Sequence, residues 1–113
     1  MITCVIKYEI DPYKVEAFDE YARRWGQVIP QCGADLIGYF SPHEGSATTA
    51  YGIYSIPDLA AYESYRARLG AHELGQENYA FARREQFIRR EERIFVRLAS
   101  GPHARPGPSL PTD

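Results

Sequence analysis

Residues 36–59, LIGYFSPHEGSATTAYGIYSIPDL, decide the fold of this chain. Two runs rich in aromatic and β-branched residues, at 34–41 and 48–56, have the composition of β-strands. The segment between them, Pro42 to Ser46, has the turn-forming residues and the length of an exposed hairpin loop. An interior glycine, Gly38, predicts a β-bulge or a close backbone approach in the first run. The stretch therefore predicts a β-hairpin that leads into a helix.

The N-terminal part of the chain predicts a strand followed by a helix. Hydrophobicity alternates from Ile2 to Ile10, which is the period of a half-buried strand. Asp11 stands where an N-cap belongs and Pro12 suits the first helical turn, so we expect the helix to begin there. Apolar residues then recur at spacings of three and four and form one helical stripe: Val15, Phe18, Ala22, Trp25 and Ile29.

After the hairpin, the sequence predicts two further helices and a last strand. The first helix follows Pro57 and ends at Gly70, and a second covers about residues 76–87. Residues 94–99 have the composition of a strand. The run at 89–93 just before it mixes arginine with glutamate, which is typical of a solvated, salt-bridged surface.

This order of elements is that of an α+β, ferredoxin-like βαββαβ fold with a four-stranded antiparallel sheet covered by helices on one side. The other side of such a sheet is open. We expect apolar residues on both sides, for instance Leu36 and Phe40 on one and Ile37 and Tyr39 on the other. Because a large exposed apolar patch is uncommon on a monomer, we predict that two sheets pair into a dimeric α/β barrel.

The chain has 113 residues, a formal net charge of −2 and two cysteines. We place one domain at residues 1–100 and a flexible tail, rich in proline and glycine, at residues 101–113. The charge gives no basic footprint for nucleic acid, and no run is long and apolar enough for a membrane span. Cys4 and Cys32 show no metal-binding or disulfide spacing, so we expect reduced thiols and a cytoplasmic protein.

No sequence motif identifies a catalytic residue, a metal site or a cofactor. The sequence shows no Gly-rich phosphate loop, no order typical of a catalytic triad and no cysteine with an obvious histidine partner. We therefore leave the catalytic residues unassigned, and we expect neither a metal nor a cofactor.

Tyrosines and histidines are the candidates for a ligand pocket. Several phenols that point into one cavity would bind a polar aromatic or carbonyl-bearing ligand by hydrogen bonding and stacking. A histidine in the hairpin loop could shuttle protons at a barrel mouth, although solvated loop histidines without such a role are common. The candidates are Tyr8, Tyr39, His43, Tyr51, Tyr54 and His72.

Two stretches resemble the NIPSNAP family, a branch of the dimeric α/β-barrel superfamily. They are MITCVIKYEIDPYKVEAFDEY at 1–21 and LIGYFSPHEGSATTAYGIYSIPDLAAYESYRARL at 36–69. The positions that carry the resemblance are Tyr8, the Gly38-Tyr39-Phe40 triplet, Gly45 and Tyr54. The resemblance implies a small dimer. It implies no particular reaction, because no common reaction is agreed for the family.

Three functions stay open at this stage. The first is a small homodimeric NIPSNAP-like protein that binds a small apolar or aromatic ligand in a cavity. The second is a cofactor-independent monooxygenase or isomerase, because an apolar barrel can hold a reactive aromatic substrate away from water. The third is an interaction module whose sheet serves only dimerisation. An enzyme is distinguished by His43, His72 or an arginine that meets tyrosines inside the cavity.

Overall fold

The computed structural model describes residues 1–101. Its elements are β1 (Ile2–Ile10), α1 (Val15–Gln31), β2 (Asp35–Phe40), β3 (Thr49–Ile56), α2 (Leu59–Ala71), α3 (Glu73–Glu85) and β4 (Ile88–Val96). This order confirms the predicted βαββαβ fold, with α2 and α3 together in the second helical position. Apart from Gly101, the predicted tail at 101–113 lies outside the described residues. Within residues 1–101, none of the helices is long and apolar enough to cross a membrane.

The four strands form one antiparallel sheet in the order β2-β3-β1-β4. Strand β1 is paired on both sides, and its side chains alternate between the two faces of the sheet. Cys4, Ile6, Tyr8 and Ile10 are buried and pack against the helices. The residues between them point to the opposite side, which we call the open face of the sheet.

Helix α1 begins later than the sequence predicts. Its first residue is Val15, and no side chain caps it. The Asp11 Oδ1 atom instead accepts a hydrogen bond from the Tyr13 backbone N–H at 2.9 Å, which closes a turn ahead of the helix. The predicted start at Asp11 and Pro12 is therefore wrong, because an aspartate can satisfy a local turn as well as a helical cap.

The bulge predicted at Gly38 is present in β2. The pairing with β3 shifts its register between Leu36 and Gly38. The extra residue changes which side chains share a face, so Leu36 and Tyr39 face the helices while Ile37 and Phe40 lie on the open face. The sequence predicted Leu36 and Phe40 on one face of the sheet and Ile37 and Tyr39 on the other. The bulge makes this assignment wrong.

A single residue, His72, separates α2 from α3. Asp58 caps α2, since its Oδ1 atom accepts a backbone hydrogen bond from the first turn at 2.8 Å. Gly70 lies inside α2 and does not end it, and α3 begins at Glu73, earlier than the sequence predicts. The two short helices thus follow one another almost directly in the chain.

Strand β4 includes the charged run at 89–93, so the predicted strand at 94–99 begins too late. The run pairs with β1 in antiparallel register, starting with Ile88 beside Ile10. Because β4 is the edge strand of the sheet, its side chains stay partly in contact with water, and charges are tolerated there. Backbone pairing, and not a hydrophobic pattern, therefore makes this segment a strand.

Candidate functional site

A cavity lies between the sheet and the helices that cover it. Its volume is about 40 Å³, which is room for roughly two or three water molecules. Six tyrosines line it: Tyr8, Tyr21, Tyr39, Tyr54, Tyr65 and Tyr79. Ile6, Ile29 and Leu69 add apolar surface. Aromatic rings and alkyl groups surround the cavity, but polar atoms, phenolic hydroxyl groups among them, make up most of the surface that is accessible inside it.

Three phenols meet at the end of the cavity that lies under α1. The Tyr8 and Tyr39 rings are stacked, with centroids 6.2 Å apart and an interplanar angle of 30°. Tyr21 of α1 meets both rings edge-on, with centroids 6.3 and 6.5 Å away. These are the geometries that aromatic quadrupoles favour, so the three rings hold one another in place.

Trp25 and Tyr79 form the helical wall. Their ring centroids are 5.0 Å apart, and Trp25 also packs edge-on against Tyr21 at 5.7 Å. Trp25 lies one helical turn after Tyr21, so both side chains reach the same side of α1. Trp25 is the sole tryptophan of the chain and is 3% exposed. Its fluorescence therefore reports on this wall of the cavity.

Tyr54 and Tyr65 line the other end of the cavity, with ring centroids 5.1 Å apart. The Cys4 thiol lies beside Tyr54. Burial raises the pKa of Cys4, and hydrogen bonding to Tyr54 acts in the opposite direction without reversing the shift. A protonated thiol is a poor nucleophile, so Cys4 belongs to the core and not to a reactive site.

Charged side chains form the mouth of the cavity, between α2 and β4. Arg66, Glu91 and Arg93 line it. The Arg93 Nη2 atom lies 3.3 Å from the Glu91 Oε2 atom, and the two side chains are 30% and 37% exposed. Arg66 donates a hydrogen bond from Nη1 to the Tyr62 hydroxyl at 3.0 Å. The mouth therefore offers groups that can bind charged or polar parts of a ligand.

Burial holds the phenols of the cavity in their neutral form. It raises the pKa of Tyr21 to about 12. Burial, followed by the neighbouring phenols, raises the pKa values of Tyr8 and Tyr39 well above the usual value. The pKa values of Tyr54 and Tyr65 are raised mainly by burial as well. Since a neutral phenol both donates and accepts a hydrogen bond, the cavity favours binding over proton abstraction by a phenolate.

Four strand tyrosines were predicted to line a pocket. Three of them line the cavity, and the fourth lies on the other face of the sheet. Those that line the cavity are Tyr8, Tyr39 and Tyr54. Tyr51 lies three residues before Tyr54 on β3, so its side chain is on the open face, where it is paired with Lys7. There it shares a shallow furrow with Val5 and Ile94.

The two histidine candidates lie away from the cavity lining. His43 is exposed in the loop between β2 and β3. The His72 Nδ1 atom accepts a hydrogen bond from the Gly75 N–H at 3.4 Å, and its Nε2 atom lies 2.8 Å from Gln31 Oε1. His72 thus caps α3 and joins it to the end of α1. Within residues 1–101, no group of three His, Cys, Asp or Glu side chains is placed to hold a metal ion.

Several cavity residues were not assigned from the sequence. Tyr21 lies four residues before Trp25, a helical spacing that places it on the buried stripe. Glu91 and Arg93 belong to the charged run that we assigned to a solvated surface. Their spacing of two residues is the period of a strand and is the signal that places both on the helix-covered face.

A model of the NIPSNAP family matches residues 4–101. The matched range contains all three helices and nearly all of the sheet. No functionally curated protein matches the chain.

Solved structures share the fold. Protein Atu4242 from Agrobacterium tumefaciens is 20% identical, with a TM-score of 0.76 over 88% of this chain and 94% of that one. An uncharacterized NIPSNAP domain protein from Burkholderia xenovorans is 23% identical, with a TM-score of 0.68 over 99% and 100%. A putative antibiotic biosynthesis monooxygenase from Nitrosomonas europaea is 11% identical, with a TM-score of 0.68 over 88% and 100%. At these identities the likeness shows the fold alone.

Proposed function

This chain belongs to the NIPSNAP family, and we propose from its geometry that it binds a small aromatic or carbonyl-bearing molecule in the tyrosine-lined cavity. The observation that carries the proposal is the convergence of six neutral phenols and Trp25 on a space that side chains leave unfilled. Polar groups that converge on an unfilled space can fix the orientation of a ligand by hydrogen bonding. A cytoplasmic location stays a prediction.

The cavity supplies both stacking and hydrogen bonding. An aromatic ring can pack against Trp25 and Tyr8, while a carbonyl oxygen accepts a hydrogen bond from a phenol. The cavity of about 40 Å³ holds only a small group, whereas pockets for drug-sized ligands measure roughly 300–1,000 Å³. A ring of six carbon atoms is larger than this space, so an aromatic ligand binds only if lining side chains, such as Arg66 and Arg93 at the mouth, move outwards.

We also propose that the open face of the sheet pairs with a second copy of the chain. Its apolar half contains Val5, Ile37, Phe40, Ile53, Ile94 and Val96. Ile37 and Ile94 are 56% and 50% exposed in the single chain. Burying these side chains against an identical surface removes apolar area from water on both chains at once.

The charged half of the open face favours an identical partner. Lys7 and Glu9 of β1 lie beside Glu92 and Arg90 of β4, so two cations and two anions alternate around a square. A two-fold axis parallel to the strands and between β1 and β4 would place each cation over an anion of the other copy. That axis centres the interface on β1 and β4, with the apolar residues of β2 at its rim. The pattern therefore complements itself, as an isologous interface requires.

Cofactor-independent oxygenation or isomerisation is the alternative function. Arginines meet tyrosines at this cavity, and Glu91 is the carboxylate among the described lining residues that could accept a proton. Oxygen uptake with phenols and quinols tests it. Uptake that is lost in Glu91→Gln would favour an enzyme, and uptake that survives in His43→Ala and His72→Ala would exclude both histidines as catalysts.

Emission of Trp25 tests ligand binding, because it is the sole tryptophan and lines the cavity. We expect benzamide to cause a saturable change in its emission. Ile29→Phe, which fills the cavity, should abolish that change. Leu59→Phe is the matched control, since Leu59 is 61% exposed and lies outside the lining. A response that does not saturate, or that persists in Ile29→Phe, would contradict the proposal.

A further inference from the structure

The mouth of the cavity carries more positive than negative charge. Its ionised groups are the guanidinium groups of Arg66 and Arg93 and the carboxylate of Glu91. Arginine stays protonated at any pH at which the protein is folded, so the mouth has a net charge of about +1. A cavity entrance with such an excess attracts an anion and repels a cation.

Arg66 of α2 contacts a tyrosine and, within the described residues, forms no ion pair with a carboxylate. Its Nη1 atom donates to the Tyr62 hydroxyl at 3.0 Å, and its guanidinium carbon lies 5.9 Å from the Tyr62 ring centroid. Among residues 1–101, no Asp or Glu forms an ion pair with it. The remaining N–H groups of Arg66 are thus available to a ligand.

Arg93 reaches the same place from the sheet. It is opposite Ile6 in the β1–β4 register, and Ile6 faces the helices, so Arg93 points towards the cavity and not towards the open face. Burial raises the pKa of Tyr79, while Arg66 and Arg93 both act to lower it. Both guanidinium groups are therefore within electrostatic reach of one phenol at the cavity wall.

We propose that the ligand is a carboxylate, with its anionic group held between Arg66 and Arg93 and its ring or chain inserted among the phenols. This inference depends on the proposed function of the cavity. The planar guanidinium group matches a carboxylate through two parallel hydrogen bonds. Because the Arg93 side chain is only 30% exposed, water screens the interaction less than at an open surface.

Benzoate and benzamide form a matched pair for the test, since they have the same shape and differ in charge. We measure the affinity of the full chain for each by Trp25 emission and by calorimetry. Benzoate should bind at least about tenfold more tightly. Arg66→Gln and Arg93→Gln should each reduce that preference by about tenfold. Arg83→Gln, an exposed arginine of α3 that lies outside the cavity lining, should leave it unchanged.

Equal affinities for benzoate and benzamide would overturn the inference and leave the proposed function standing. A preference that survives in both cavity-mouth variants would overturn it too. If neither compound binds, the proposed function itself fails and the inference falls with it. Arg66 is exposed on α2, so Arg66→Gln keeps the test valid even if circular dichroism shows that Arg93→Gln is unfolded.

Discussion

The ring of Tyr39 lies directly over Gly52, its partner on the neighbouring strand β3. A Cβ atom at Gly52 would lie 2.6 Å from the Tyr39 Cε1 atom, which is closer than non-bonded carbon atoms approach. Only a residue without a side chain lets the ring rest on the β3 backbone. The bulge at Gly38 turns Tyr39 to this side of the sheet, and Gly52 then leaves room for its phenol in the cavity.

Replacement of this glycine should therefore displace the cavity wall. We expect Gly52→Ala to lower the free energy of unfolding by about 1–3 kcal/mol, because Tyr39 must move. Gly26→Ala is the control, since nothing lies within 4 Å of a Cβ atom there. In the interior of α1 it should raise stability by about 0.5–1 kcal/mol. Urea denaturation measures the free energy of unfolding of both variants. Equal changes of the same sign in Gly52→Ala and Gly26→Ala would refute the prediction.

Arg68 connects α2 to the end of α1. Its Nε atom donates a hydrogen bond to the Cys32 carbonyl oxygen at 2.8 Å, at the negative end of the helix dipole. Arg68→Ala should therefore lower the free energy of unfolding by about 1–2 kcal/mol. Arg23→Ala removes an exposed ion pair with Glu20 and should change it by less than about 0.5 kcal/mol. Thermal unfolding of both variants checks this, and the prediction fails if the two shifts are similar.

The buried tyrosines predict loss of stability at alkaline pH. Burial raises the pKa of Tyr21 from 10.0 to about 12, so the folded state keeps a proton that the unfolded state releases. The stabilisation is complete below about pH 10 and is lost as the pH rises through about 12, which amounts to on the order of 3 kcal/mol for this group.

The free energy of unfolding, measured from pH 8 to 11.5, should be flat at first and then fall. Tyr21→Phe should make the fall less steep, because one proton fewer is released on unfolding. A flat profile over the whole range, or an unchanged slope in Tyr21→Phe, would show that burial of the phenol does not govern the alkaline transition.

If the open face forms the dimer interface, one charged substitution in its apolar half should separate the two chains. Ile94→Glu places a carboxylate in the apolar half of the open face, and we expect sedimentation at micromolar concentration to show single chains. Leu59→Glu, at another exposed apolar position, should leave the dimer intact. If the unaltered chain sediments as a monomer, the proposed barrel is wrong.

Local patterns in the sequence were sufficient for most of the fold. Alternation gave β1 with its bounds, and Gly38 marked the bulge in β2. Strand β4 was placed too late because its first half, Arg89 to Arg93, has no apolar period. That segment becomes a strand only through pairing with β1, which is distant in sequence.

The site was harder to predict, because it is built from side chains on all seven elements. Both Tyr51 and Tyr54 were predicted to line the pocket, although strand parity could have separated them, since positions three apart lie on opposite faces. The charged mouth was not foreseen, because Arg66 and Arg93 meet only after α2 is packed across the sheet. Such convergence is a property of tertiary structure and has no local sequence signal.

The most direct measurement is a crystal structure of the full chain grown with saturating benzoate. We predict electron density for its ring between Tyr8 and Trp25, with the carboxylate directed to Arg66 and Arg93. Benzoate found only on the open face of the sheet, or a cavity that holds water alone at saturation, would contradict the account.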